Sequence, residues 1–346
     1  MSRWTALATA CALAGVTLAG CVAPVVPETA PLSVSVPFPT PSGMQVPAEL
    51  PAEDSLDCPQ SLKPTGPLPA PGAMPSGSPM EGIQTRGQLV VGIGSAANLL
   101  AFRKPYDGDS DDKSRIVGFE AEIAREIAFA IFGDREKIKF RALNLADRFS
   151  AVRGHDKDGN PVDPVDLVIA ATTITCQRKE VENVAFSAAY YTGQLRVLVR
   201  RDSGFKSIED LGKGDNHDKA KVCASKGSIN LRLIAEASPE SAPVAAPNTT
   251  DCLLLLQQGR IEAVASADLI LAGLQAQDPS TKIVGGTIAK QPAGILISKK
   301  SPELVRFVNA VLEKLIADGK WAELQNQWLA GQIGTATPPT PEYETE

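Results

Sequence analysis

Histidine is almost missing from this chain. Two in 346 residues argue against a multi-histidine metal enzyme, and no Cys-x-x-Cys pair supports zinc held on thiolates. There is no glycine-rich phosphate loop and no Gly-x-Ser-x-Gly elbow, so two strong short signatures of catalysis are lacking. Basic charge is in deficit, 34 Lys and Arg against 40 Asp and Glu, a net −6. That argues against a nucleic-acid partner, which needs a concentrated basic face to displace counterions. Beyond the first twenty residues no apolar run approaches the ~18 residues of a membrane-spanning helix. Nothing calls for a cofactor.

What is present is unevenly spread. Fifteen of the 27 prolines fall between residues 22 and 80. With 43% apolar and 21% charged residues, the remainder has the balance of one compact body, about 265 residues long. Residues 1–20 read as a secretory signal, in which Arg3 supplies the positive end and Ala6 to Gly20 the short apolar stretch,. The stretch ends Leu18-Ala19-Gly20-Cys21, a lipobox whose cysteine would be lipidated after cleavage; the competing reading is an ordinary signal with an incidental cysteine. The mature protein is then expected at the extracytoplasmic face of the cell membrane, held by acyl chains on Cys21. Residues 21–80 read as a disordered, Pro-rich tether, or else as a proline-rich ligand for another domain.

Cys11 and Cys21 belong to the signal, which leaves Cys58, Cys176, Cys223 and Cys252. Outside the cell an even set of four favours two disulfides, in any of three connectivities.

Beyond residue 86, short apolar runs alternate with helical periods. Gln88 to Ile93, Asp166 to Ala171, Arg196 to Val199 and Ile261 to Ala265 read as strands,. Phe119, Ile123, Ile127 and Ile131 recur every four residues before Gly133, one face of a helix and its stop. Thr250 to Gln258, Pro302 to Asp318 and Trp321 to Trp328 read as further helices, and Ile208 to Leu211 as a short helical turn. Strands alternating with helices imply parallel α/β sheets covered on both faces.

The order of motifs resembles family 3 extracellular solute-binding proteins, the amino-acid receptors of ABC importers. The series runs through Arg86 to Gly92, Gly118-Phe119-Glu120, Val165-Asp166-Leu167, Thr172-Thr173-Ile174-Thr175-Cys176-Gln177-Arg178 and Tyr190-Tyr191. It continues with Gln258 to Val264 and closes on Asp318-Gly319-Lys320-Trp321 and Trp328. Lipobox, tether and four cysteines resemble, more narrowly, actinobacterial glutamine-binding lipoproteins.

The resemblance implies a two-lobe, type II periplasmic-binding-protein-like fold with a hinge. Lobe 1 would be residues 81–194 and 290–334, lobe 2 residues 195–289, and 335–346 a disordered tail. Cys223 and Cys252 then share lobe 2 and would pair; Cys58 and Cys176 follow by exclusion and would pin the tether to lobe 1.

The resemblance also implies that Arg178 grips a ligand carboxylate, for which a guanidinium offers a matching two-donor fork. Thr173 and Ala171 match hydrogen-bonding positions, Arg148 a basic position facing the cleft, and Gly227-Ser228 an amide-bearing turn. Four positions depart from the pattern: Gly94 at the end of the first strand, Leu100 for an aromatic clamp, Ala293 for a hinge tyrosine, and Ala267 for an acid. Asp268 lies one place beyond that last position. The departures imply an altered ligand or a pocket partly out of use.

The acidic clusters Asp107–Asp112 and Asp156–Asn160 read as solvated loop tips rather than calcium loops, since Pro161 replaces the needed glycine,. His155 and His217 read as surface imidazoles. The expected function is capture of a small amino acid of the glutamine, glutamate or aspartate kind by a monomer serving an ABC importer permease. The alternatives are a lipoprotein sensing amino acids for a membrane partner, or a cell-wall or dehydratase enzyme on the same fold, for which no catalytic residue stands out.

Overall fold

A computed structural model describes residues 39–46, 48–58, 60–94, 98–104, 116–212 and 219–345. Cys11, Cys21, the 107–112 acidic cluster and His217 lie outside them. Thr40–Glu346 form one compact unit. No helix among the described residues is long and apolar enough to cross a membrane.

Among the described residues twelve strands are formed: β1 Leu89–Gly94, β2 Phe102–Arg103, β3 Ile116–Val117, β4 Ile138–Leu143, β5 Leu167–Ile169 and β6 Val184–Phe186, then β7 Tyr191–Arg200, β8 Lys221–Ser225, β9 Ala242–Ala246, β10 Ala263–Ala267, β11 Thr281–Ala293 and β12 Leu296–Ser298. Apart from the small β2–β3 ladder they make two five-stranded sheets, β4-β1-β5-β12-β6 in lobe 1 and β11-β7-β10-β8-β9 in lobe 2. The sheets are mixed rather than wholly parallel. β1 runs parallel to β4 and β5, and β8 parallel to β9 and β10. β12, β7 and β11 join antiparallel, because the chain returns between lobes through them.

Each sheet is packed on both faces, which explains its unbroken apolar strands. In lobe 1 the helix Phe119–Phe132 lays Ile123, Ile127 and Ile131, all fully buried, on one face of the sheet with Val305 and Val308 of the helix Pro302–Ala317. Each such isoleucine contributes roughly 1.5–3 kcal/mol. Gly133 stops the first helix in a left-handed conformation, φ 70°,. The other face holds Leu143, Val168, Ile174 and Phe186. In lobe 2, Leu195, Val197 and Leu231 fill one side, and Leu198, Val264 and Leu255 the other.

β7 and β11 pair from Tyr191↔Ala293 to Thr281↔Arg200, with an irregularity between Val284 and Ala289. Their lobe 1 end is clamped: Tyr191 and Phe119 pack on Trp321, whose Nε1 donates to Tyr190 O at 2.7 Å. The opposite end lies in the lobe 2 core. These two strands are the hinge.

The described residues between 40 and 80 differ from the expected disordered tether. Met74, Met80 and Ile83 are buried in the lobe 1 core, the helix Pro79–Arg86 is capped by Ser78, and Ser61 donates to Phe186 O at 2.7 Å. Proline content does not prevent this, because the backbone finds partners on distant elements as well as in local turns. The tail is likewise held: Ser61 N donates to Glu342 O and Glu344 N to Ser61 O, both at 2.9 Å, and Tyr343 OH to Glu313 at 2.7 Å. The disulfides join Cys58 to Cys176 and Cys223 to Cys252. The Asp156 loop is closed on itself, its carboxylate accepting from Asp158 N and from Asn160 N and Nδ2.

Candidate functional site

A cavity of about 100 Å³ lies between the lobes. Lobe 1 contributes Gly94, Asn98, Leu100, Arg148, Ala170 to Thr173, and Arg178. Lobe 2 contributes Ser225, Ser228, Asn230, Asn248, Thr249, Ser266, Ala267 and Ile270, and the hinge adds Gln291. These residues sit where β1, β5, β8 and β10 end, the edge at which open α/β sheets present ligand groups. Hydroxyls, amides and two guanidiniums line the space. No carboxylate is among the described residues that line it.

Arg178 follows from its local sequence. After β5 the chain turns through Thr172 and Thr173, and Thr175 caps the short helix Cys176–Glu180 by accepting from Arg178 N at 3.2 Å,. The Arg178 guanidinium donates through Nη1 to Thr173 O at 2.6 Å and lies 5.9 Å from the centre of the Phe149 ring. Burial pushes its pKa down to about 10, Arg148 adds to that, and Asp54 and Glu182 oppose it. Arg148 opens the helix Arg148–Arg153 and donates to Ala170 O at 2.6 Å and Thr172 Oγ1 at 3.3 Å. Neither arginine forms an ion pair among the described residues.

Beneath this pair lies a buried acid. Ala171 holds a left-handed φ of 46°, unusual for a residue with a Cβ, and its N–H donates to Glu120 Oε1 at 2.7 Å. Tyr190 OH donates to the same oxygen. Burial raises the Glu120 pKa against the opposing effects of Tyr190, Ala171 and Arg148. Glu120 Oε2 and Arg148 Nε are both buried without a hydrogen-bond partner in the structure.

Residues 101–331 match the Bacterial extracellular solute-binding proteins, family 3. The chain belongs to this family. It is 29% identical over 247 residues to the ABC transporter glutamine-binding protein GlnH of Bacillus subtilis, covering 71% of this chain and 83% of that protein. Among solved structures it is similar to a mutant of ArgBP from T. maritima, at 26% identity and a TM-score of 0.58, covering 72% of this chain and 99% of that one. A third likeness is an ancestral amino acid-binding protein described as a precursor of cyclohexadienyl dehydratase, at 25% identity and TM-score 0.58, with 72% and 99% covered. Transport receptors predominate, and an enzyme lineage shares the fold.

In this solute-binding protein the residues expected at the cleft divide. Arg178, Thr173, Ala171, Arg148, Leu100 and Ser228 line the cavity; Gly227 and Asp268 do not. Asp268 instead braces the hinge, accepting from Gln194 N at 3.2 Å and Leu269 N at 2.8 Å. Of the departures, Gly94, Leu100 and Ala267 line the cavity, whereas Ala293 is used in the hinge ladder opposite Tyr191. Sequence reasoning passed over Glu120, Asn230, Asn248, Thr249 and Gln291. Glu120 carried a usable signal: it stands three and seven residues before Ile123 and Ile127, an acid on an apolar helical face. The amide pair Gln291 Nε2 to Asn230 Oδ1, 2.6 Å and buried, joins residues far apart in sequence and left no local sign.

Proposed function

We propose that this solute-binding protein is a lipid-anchored, extracytoplasmic receptor for a small amino acid of the glutamine, glutamate or aspartate kind. It acts as a monomer and delivers the ligand to an ABC importer, with Arg178 holding the ligand carboxylate and Arg148 beside it. The supporting observation is a pair of cleft guanidiniums without ion-pair partners among the described residues, since such cations bind carboxylates strongly. The cavity lining also favours capture over catalysis: among the described residues it holds no histidine, cysteine or carboxylate to move a proton,. Anchoring at Cys21 would keep the receptor at the membrane, and Cys21→Ala should release it into the soluble fraction.

The test is a thermal-shift screen of the protein against the twenty amino acids and small dicarboxylates. A ligand at a hundredfold over its Kd should add about 2.7 kcal/mol of stability. A screen in which no carboxylate-bearing solute raises Tm would overturn the proposal.

A further inference from the structure

Residues 44–61 do more than lead into the fold. On lobe 2, Gln45 and Ala245 exchange backbone hydrogen bonds of 2.8 and 3.1 Å at the edge strand β9, and Ala48 N donates to Pro243 O at 2.9 Å. Arg232 then holds the Pro51 carbonyl through Nε and Nη2, at 2.9 and 2.6 Å. Three residues later the chain is fastened to lobe 1. Asp54 Oδ1 accepts from Gln177 N at 2.9 Å, Ser55 O accepts from Cys176 N at 3.0 Å, and Cys58 is bonded to Cys176. Three residues span at most about 10 Å, so the crossing has little slack.

We propose that this segment is a strap: a third cross-lobe link that restrains lobe movement and positions Arg178, with Asp54 as the positioning residue. The positioning half rests on the reading of Arg178 as the carboxylate-holding group. The helix Cys176–Glu180 has five residues, too few to order itself, and its first N–H groups need outside acceptors. The strap supplies two of them, for Cys176 and Gln177. Asp54 also opposes the effect of burial on the Arg178 guanidinium. The restraining half follows from topology. β9 lies three strands from the hinge strand β7, about 14 Å at ordinary strand spacing. A link of fixed length anchored there resists a rotation that β7 and β11 alone would permit.

Two measurements on the full chain test the strap. Fluorescent noncanonical residues at the exposed positions Phe129, in lobe 1, and Leu254, in lobe 2, report the interlobe distance without added ligand. Gln45→Pro with Ala48→Pro removes both backbone donors to lobe 2, and Arg232→Ala in the same variant removes the hold on Pro51, while the Cys58 link is kept. This variant should broaden and lengthen a distance distribution that is narrow in the parent; superimposable distributions would overturn the restraint.

Titration with L-glutamate tests the positioning. Asp54→Ala should weaken binding about 2- to 30-fold, the equivalent of one lost helix cap, whereas Asp54→Asn, which keeps an acceptor, should restore most of it. Equal affinity in Asp54→Ala and the parent would overturn the role of Asp54. Glutamate failing to bind the parent protein would count against the ligand reading, and the distance measurement would still judge the strap.

Discussion

Arg178→Ala should weaken ligand binding severely while leaving the unliganded protein as stable as before, or more so. The two halves come from the same geometry. The guanidinium is half-buried beside a second guanidinium, its pKa is pushed down to about 10, and no ion pair among the described residues compensates it. Among the described residues the guanidinium makes one hydrogen bond, Nη1 to Thr173 O, so truncation frees that carbonyl, at a cost of about 1 kcal/mol. It also relieves the repulsion by Arg148 and the desolvation of a cation. For the bound carboxylate the balance reverses. Removing one partner of a desolvated charge pair costs roughly 2–5 kcal/mol, a ~30-fold to several-thousandfold loss of affinity. Arg178→Lys should fall between, since charge returns without the two-pronged geometry. Calorimetric titration gives the affinities and a thermal melt the stabilities. Wild-type affinity in Arg178→Ala would show that the ligand lies elsewhere, and a joint loss of binding and several degrees of Tm would show that the arginine serves the fold.

Glu120 sets a pH slope. Its folded pKa is raised above 4.5 by burial, so its contribution to stability is intact below 4.5 and is lost as pH rises through the raised value. Glu120→Gln should therefore gain stability relative to the parent between pH 4.5 and 7 in denaturant titrations, and a pH-independent difference would contradict the assignment. Replacing Cys223 and Cys252 together by alanine opens a loop of 29 residues and should cost about 3–4 kcal/mol, read as a shift in urea midpoint. A Cβ on Gly273 would stand 2.3 Å from Asn98 O, so Gly273→Ala should push the Asn98 turn of lobe 1 off the lobe 2 helix Asp268–Gln277. The expected cost is about 1–3 kcal/mol, and an unchanged Tm would refute that contact. Ala267→Asp adds an acid to a cavity wall that has none among the described residues; glutamate should gain on succinate by about 10-fold or more if the new carboxylate meets the ammonium, and calorimetry showing no change in that ratio would deny it.

The helices and central strands were legible because their signals are local. Ile123, Ile127 and Ile131 repeat at one helical face, and β1, β5 and β10 are short apolar runs. β11 was hidden: Gly285, Gly286 and Pro292 punctuate its thirteen residues like a loop, and pairing along β7 overrides that local preference. The strap was hidden for a related reason. Its prolines describe a chain with no hydrogen bonds to itself, while its actual partners, Ala245, Arg232 and Gln177, lie more than a hundred residues away. At the site, Asp268 shows how one residue of register decides chemistry. β10 ends at Ala267, which faces the cavity, and the next residue opens the helix Asp268–Gln277 with its carboxylate turned to the hinge.

Within the described residues several local costs converge on one place. Ala171 adopts a left-handed backbone, Glu120 Oε2 and Arg148 Nε go without partners, and Arg148 and Arg178 lie close without ion pairs. Each works against folding stability, and none is needed to close either sheet. The same features prepare the cleft. The left-handed turn commits the Ala171 N–H to Glu120, which helps to hold Arg148 as a cation, and the two guanidiniums are left with donors free for an anion. A fold selected for stability alone would have paired or removed these groups; their retention together, around a cavity between two hinged lobes, is what separates a binding cleft from a gap in the packing.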